Sequence, residues 1–498
     1  MKDLLLGIDV GTSACKVAVF DENGHVIADS NRPYNVYYPE EGWAEQDPEE
    51  WWKAIILAIK DVMACSEVSK DQIACIGIDG QSWSAIPVDK DGNVLARTPI
   101  WMDTRARHIC DRINNRLGSD TIFKIAGNSF LPSYSAPKMI WFRENYPEIH
   151  SKTYKYLQSN SFVAYKLTGS FSQDKSQLYG IHFYNLYKME YDTSLASELG
   201  LSPDLIPEIY NCHDIVGTVT AEAASLTGLA VGTPVVAGGL DAACGTLGAG
   251  VYEVGQTQEQ GGQAGGMSIC TDKALAHSKL ILSPHVIPDL FLLQGGTVGG
   301  GGILRWFRQE LARGMSFDEI TKEAENIPAG SEGVVFLPYM AGERSPIWDP
   351  DAKGVFYGLS FSKTRGHMIR AALEGTAFAL EHNLRTALEV GASTDKLNAM
   401  GGASNSLLWT QIKADVTGKT IQVPTSDTAT TLGAAILAGM GCGIFSSYKA
   451  AVDKTIVITR IHEPDWEKHE IYMKYMELYL RLYDDLKDTF SEFSRISY

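Results

Sequence analysis

Leu4-Leu5-Leu6-Gly7-Ile8-Asp9-Val10-Gly11-Thr12-Ser13-Ala14-Cys15-Lys16-Val17-Ala18-Val19-Phe20-Asp21 opens the chain, and its pattern predicts two strands joined by a tight glycine turn. Residues 4–10 and 15–20 are the strands. Asp21-Glu22-Asn23-Gly24 then reads as a hairpin turn into a third strand at Val26-Ile27-Ala28. A carboxylate at the mouth of such a turn suits magnesium held through water, while the turn's N–H groups face phosphate. A plain strand connection would use the same letters, so the run is weak evidence alone.

The idea recurs. Gly255 to Cys270 is a second strand–turn–strand, with Gly261-Gly262-Gln263-Ala264-Gly265-Gly266 at its turn. Before it, the strand pattern Pro234-Val235-Val236-Ala237 runs into Gly238-Gly239-Leu240-Asp241-Ala242-Ala243-Cys244-Gly245. Asp241 thus falls at the carboxyl end of a strand, where open α/β sheets bind ligands, although a helix N-cap would also explain it. Asp9 and Asp241 together suggest a carboxylate base facing a phosphate cradle, the arrangement of a kinase.

Strands and helices alternate along the rest of the chain, so the class is α/β. Asp47-Pro48-Glu49-Glu50 predicts a helix start, with Asp47 as N-cap and Glu50 closing a capping box. Trp51, Ile55, Ala58, Ile59 and Val62 keep its helical period. Ile73 to Ile78 reads as a buried strand ending at Asp79-Gly80-Gln81-Ser82-Trp83, and Leu397 to Met400 as one entering Gly401-Gly402-Ala403 and a helix.

A chain of 498 residues is too long for one core. Two domains are expected, 1–245 and 246–498. The net charge of −17 argues against nucleic acid or an anionic membrane as partner, but not against phosphate held by main-chain N–H groups. The eight cysteines form no metal-binding cluster and read as buried free thiols. The first apolar run stops at Asp9, too short for a signal peptide, and no membrane span is evident, so a cytoplasmic location is expected.

Several long motifs, in order, resemble the FGGY family of carbohydrate kinases. They include Gly7-Ile8-Asp9-Val10-Gly11-Thr12-Ser13, Trp43-Ala44-Glu45-Gln46-Asp47-Pro48-Glu49-Glu50-Trp51-Trp52 and Trp101-Met102-Asp103-Thr104-Arg105. Ser133 to Asn145 resembles the family's first signature, and Gly354 to Glu374 its second. The resemblance implies two actin/hexokinase-like (ribonuclease H-like) domains about a central cleft, the first for sugar and the second mostly for nucleotide. Within the family the chain looks most like xylulokinases, with two departures. Gln81-Ser82-Trp83-Ser84 stands where these commonly have Gln-Met-His-Gly, and Gly261-Gly262-Gln263-Ala264-Gly265 where the family has Leu-Gly-Thr-Ser-Gly.

Matching positions imply Asp241 as catalytic base and Gln81, Ser82, Trp83, Asp103 and Asp241 as the substrate side. They imply Gly11, Thr12, Ser13, Gly262, Gln263, Gly301, Gly402 and Ser406 as ATP contacts, and Asp9 as the magnesium residue, acting through water. Trp83 is read as a wall over the sugar's apolar face or as core, Asp103 and Arg105 as ligands or a surface ion pair, and Lys16 as site or solvent. The implied reaction converts D-xylulose and ATP to D-xylulose 5-phosphate and ADP. Alternatives are a kinase for ribulose, gluconate, glycerol, a tetrulose or another polyol, an altered sugar-binding regulator, and an actin-like ATPase. The assembly stays open, a homodimer included.

Overall fold

The computed structural model describes residues 3–425 and 428–496. Leu4–Val10, Ala14–Phe20 and Val26–Pro33 pair antiparallel in sequence order. On the other side of Leu4–Val10 lies the parallel strand Ile73–Gly80, then parallel Pro234–Val236, then Ile215–Thr218 antiparallel at the edge. Every residue of the two central strands is buried, as both faces of the sheet are covered.

The second sheet repeats this path. Gln256–Gly261, Gly265–Thr271 and Phe291–Thr297 are antiparallel. Lys396–Met400 and Thr420–Pro424 follow in parallel on the other side, with Ile458–His462 antiparallel at the edge. One extra strand, Ile281–Pro284, extends it. The repetition seen in two glycine turns is a repetition of whole sheets.

Helix Pro48–Met63 begins as its sequence predicts, with the Asp47 side chain accepting from the Glu49 N–H and all five periodic apolar residues buried. Glu50 closes no capping box. Its carboxylate accepts from the Tyr37 hydroxyl at 2.5 Å instead, a tertiary partner that outcompetes the local one.

Two helices join the halves. Asp241–Gly248 crosses Ala429–Gly441, and the second of these also lies on the first sheet. A Cβ on Gly7 would run into the Thr431 carbonyl, and one on Gly77 into the Ala434 carbonyl. Glycine there lets helix backbone rest directly on strand backbone. Leu432, Ala435 and Ile436 consequently share an apolar cluster with Leu5, Cys75 and Leu247. A division of the chain at 245/246 remains a proposal, with helix Ala429–Gly441 packed across it. All eight cysteines are unpaired and six are buried. Among the described residues no helix is long and apolar enough to cross a membrane.

Candidate active site

Three strand ends converge on a carboxylate group. Asp9 and Asp79 are register partners on adjacent parallel strands, and Gly239 pairs with Asp79 on its other side, two residues before Asp241. Asp241 is the first residue of its helix, and Leu240 holds the N-cap position without a side-chain bond, so the cap reading does not apply. Asp241 Oδ1 accepts from the adjacent Ala242 N–H at 2.6 Å. Burial, and then the negative charge of Asp9, raise its pKa to about 7. That value suits a general base working near neutral pH.

Asp9 is nearly buried, with the Thr430 hydroxyl donating to it at 3.3 Å and the half-exposed Lys16 ammonium 3.8 Å away. Asp79 is fully buried, and no N–H or neutral hydroxyl donor reaches either of its oxygens. Burial, then the charges of Asp9 and Asp241, push its carboxyl well above the usual range, which favours the protonated form beside Asp9. The sequence reading gave Asp79 no role. A signal was there, because Gly7-Ile8-Asp9 and Gly77-Ile78-Asp79 are the same triplet.

The first glycine turn is braced from behind. The Tyr34 hydroxyl donates to Gly11 O at 2.5 Å, Gln46 Nε2 to Thr12 O at 2.8 Å and Trp101 Nε1 to Thr12 Oγ1 at 3.0 Å. Ser13 is exposed.

Among the residues expected to face the sugar, Gln81 is fully buried, and its Nε2 donates to Gln46 Oε1 at 2.7 Å. Ser82 and Trp83 are half-buried. Trp83 sits at φ 60°, a left-handed conformation rare for a bulky residue. Tyr134 lies 4.2 Å from it between ring centroids, Tyr179 5.6 Å away, and the buried Lys138 ammonium donates to its carbonyl at 2.9 Å. Asp103 and Arg105 are buried, so the surface ion-pair reading fails. Asp103 accepts from the Ala44 N–H at 2.7 Å, the Arg105 N–H at 3.0 Å and the Arg105 guanidinium at 2.8 Å. A carboxylate offers about four acceptor positions, so little capacity is left for a sugar hydroxyl. Arg105 also pairs with Glu45 at 2.9 Å and lies 3.8 Å above the Trp43 ring. The segment 43–46 therefore gathers the 81–83 and 101–105 motifs.

Gly262, Gln263, Gly301, Gly402 and Ser406 line one cavity of about 610 Å³ in the second half, a volume suited to a nucleotide. They serve it differently. A Cβ on Gly402 would meet nothing within 4 Å, so this residue faces open space. The Gly301 N–H is engaged by Gly262 O at 2.7 Å, and the Gly302 N–H by Gln263 O at 3.0 Å. Ser406 caps helix Leu407–Thr417, accepting from the Trp409 N–H at 3.3 Å. The sequence reading missed Arg308, whose guanidinium lies 4.2 Å over the Phe317 ring at the cavity wall. Among the described residues no group of three or more His, Cys, Asp or Glu is placed to hold a metal ion directly.

Residues 4–248 match the N-terminal domain of the FGGY family of carbohydrate kinases, and residues 267–442 match its C-terminal domain. The chain belongs to the FGGY family of carbohydrate kinases. This FGGY kinase is 30% identical to the xylulose kinase of Bacillus subtilis (strain 168) over 486 residues, 97% of each chain. Its fold matches the gluconate kinase of Lactobacillus acidophilus with a TM-score of 0.91 at 25% identity, over 98% of this chain and 99% of that one. It matches the xylulose kinase of Rhodospirillum rubrum with a TM-score of 0.91 at 27% identity, over 98% of this chain and 100% of that one. Two-domain α/β architecture and carbohydrate kinase activity, both expected from the sequence, are borne out.

Proposed function

We propose that this kinase transfers the γ-phosphoryl group of ATP to the terminal hydroxyl of a neutral ketopentose, D-xylulose being the leading substrate. The observation that carries the reading is Asp241, a strand-end carboxylate with its pKa raised to about 7, beside Asp9 and the 11–13 turn. Asp241 orients the acceptor hydroxyl and takes its proton late, as the bond to phosphorus forms. The Thr12 and Ser13 N–H groups meet the transferred phosphate, and the cavity beside Gly402 holds the nucleoside.

Magnesium fits this arrangement as an outer ligand. Asp9 is a hard oxygen donor that meets the Asp79 carboxyl on one side, while its other contacts, 3.3 Å to Thr430 and 3.8 Å to Lys16, are long enough to leave room for a metal-bound water. A bound magnesium ion would neutralise phosphate charge there.

A neutral sugar is favoured over an aldonate because the sugar-side cations are engaged. Arg105 is paired with Asp103 and Glu45. The Lys138 ammonium donates to the Trp83 carbonyl at 2.9 Å, and burial lowers its pKa to about 7, which weakens it as a partner for an aldonate carboxylate. The same reading puts the enzyme in the cytoplasm, where ATP and free thiols coexist.

The test is a coupled ADP-release assay over pentuloses, polyols and aldonates, run on wild type and Asp241→Asn. A ketopentose should give the highest kcat/KM. The variant should lose on the order of 10²–10⁴ in kcat. Retention of more than about a tenth of wild-type turnover rejects Asp241 as base, and preference for gluconate rejects the neutral-sugar assignment.

A further inference from the structure

Gln46 is given no part in catalysis or ligand contact, yet it is fully buried with both its N–H groups and its oxygen engaged. Its Nε2 donates to Thr12 O at 2.8 Å and to Asn35 O at 3.1 Å, while its Oε1 accepts from Gln81 Nε2 at 2.7 Å. One side chain therefore touches the first phosphate turn and the start of the Gln81-Ser82-Trp83 loop at once. The geometry points to Gln46 as a positioning residue that couples occupation of the sugar pocket to the set of the first phosphate turn. This rests on the reading of the 81–83 loop as sugar-binding and the 11–13 turn as phosphate-binding.

Peptide planarity transmits the constraint. Thr12 O and the Ser13 N–H belong to one trans peptide and point in opposite directions. Holding the carbonyl inward turns the N–H outward, towards the side where phosphate is read. Tyr34 does the same for the Gly11 carbonyl and the Thr12 N–H. Movement of the 81–83 loop acts on Gln46 with little slack. The Gln81 N–H is bonded to Val10 O at 3.0 Å, the residue before the turn, and the Gln81 carbonyl accepts from Ser159 Oγ at 2.9 Å. A second tie converges on the same residue from the other sugar-side motif. Trp101 donates to Thr12 Oγ1 at 3.0 Å and stands two residues before Asp103. Asp103 in turn holds the Ala44 N–H at 2.7 Å, two residues before Gln46. Thr12 is where both sugar-side motifs meet the phosphate turn.

The consequence is binding synergy. The test is calorimetric Kd for the magnesium complex of a non-hydrolysable ATP analogue, with and without a saturating amount of the sugar that gives the highest kcat/KM in the panel. Wild type should bind the analogue at least fivefold tighter with sugar present, within the usual span of coupling between sites. Gln46→Met keeps the volume and removes the hydrogen bonds. It should reduce that ratio below twofold, while sugar affinity in the absence of nucleotide changes less than threefold. Gln46→Glu, which sets a carboxylate against two carbonyls, should lose the ratio and also raise KM for ATP. A purely structural glutamine would lower the melting temperature and leave the ratio intact. Should Gln46→Met fail to fold, Trp101→Phe deletes the second tie and should at least halve the ratio. A wild-type ratio in the folded Met or Phe variant overturns the inference, as does absence of synergy in wild type. Failure of the underlying site reading shows separately, as undiminished turnover in Asp241→Asn.

Discussion

Asp9 and Asp79 stand side by side at matching positions of two parallel strands, each one residue before its strand ends. Two buried carboxyl groups so placed cannot both ionise, and the better buried one keeps a proton. Burial raises both carboxyls, and the charges of Asp9 and Asp241 raise the fully buried Asp79 further, so Asp79 is the one expected to hold the proton.

Asp79→Asn should therefore be tolerated, because an amide still offers a donor to Asp9. Fold and at least a tenth of the turnover should survive. Asp79→Ala leaves Asp9 without that donor and should cost about 1–3 kcal/mol. A carboxyl that holds its proton more tightly when folded contributes stability that is complete below the ordinary carboxylate range and lost as pH rises. Melting temperatures between pH 4 and 8 should fall in wild type and fall less in Asp79→Asn. Equal slopes would count against a protonated Asp79.

Catalysis should run the other way with pH. Asp241 works as a base only when ionised, so kcat/KM should drop as pH falls through about 7. Removing the neighbouring anion in Asp9→Ala should move that midpoint to lower pH. The same variant should need at least tenfold more Mg²⁺ for half-maximal rate, with sugar binding nearly unchanged. A variant that loses sugar affinity but keeps its Mg²⁺ response contradicts this role for Asp9.

Trp83 stands where the resemblance to xylulokinases implies a hydrogen-bonding imidazole, and its ring lies tilted on Tyr134. The indole N–H is buried away from solvent, so the ring offers the sugar an apolar face. An apolar wall discriminates by only about 10–200-fold, whereas a site that bonds a hydroxyl reaches about 10⁴. Wild type should thus accept several sugars. Trp83→His with Ser82→Met should shift kcat/KM towards D-xylulose, measured against at least three other sugars. A wild-type preference for D-xylulose above a thousandfold would remove the argument.

Two glycines separate structure from site. Gly77→Ala drives a methyl into the Ala434 carbonyl, where helix backbone lies on the sheet, and should cost on the order of 1–3 kcal/mol or more. Gly402→Ala adds a methyl facing the cavity, where nothing lies within 4 Å. It should keep the wild-type melting temperature and raise KM for ATP several-fold. A stable Gly77→Ala or an unaltered KM in Gly402→Ala would contradict the corresponding half.

Features that depend on residues a few positions apart were legible in the sequence. Alternating apolar letters set Leu4–Val10 and Ala14–Phe20, the glycines between them set the turn, and Asp47-Pro48 set a helix start. Long motifs in order identified the family. Tertiary structure decided the partners of those residues. Glu50 bonds Tyr37 rather than closing its cap, and Asp103 is buried against Arg105 and Ala44. Gln46 meets Gln81 from 35 positions away, and Thr430 reaches Asp9 across 421. Strand register and the seating of one helix on another sheet bring such pairs together. Both depend on packing the whole chain, and local periodicity carries no record of which distant residue fills the space.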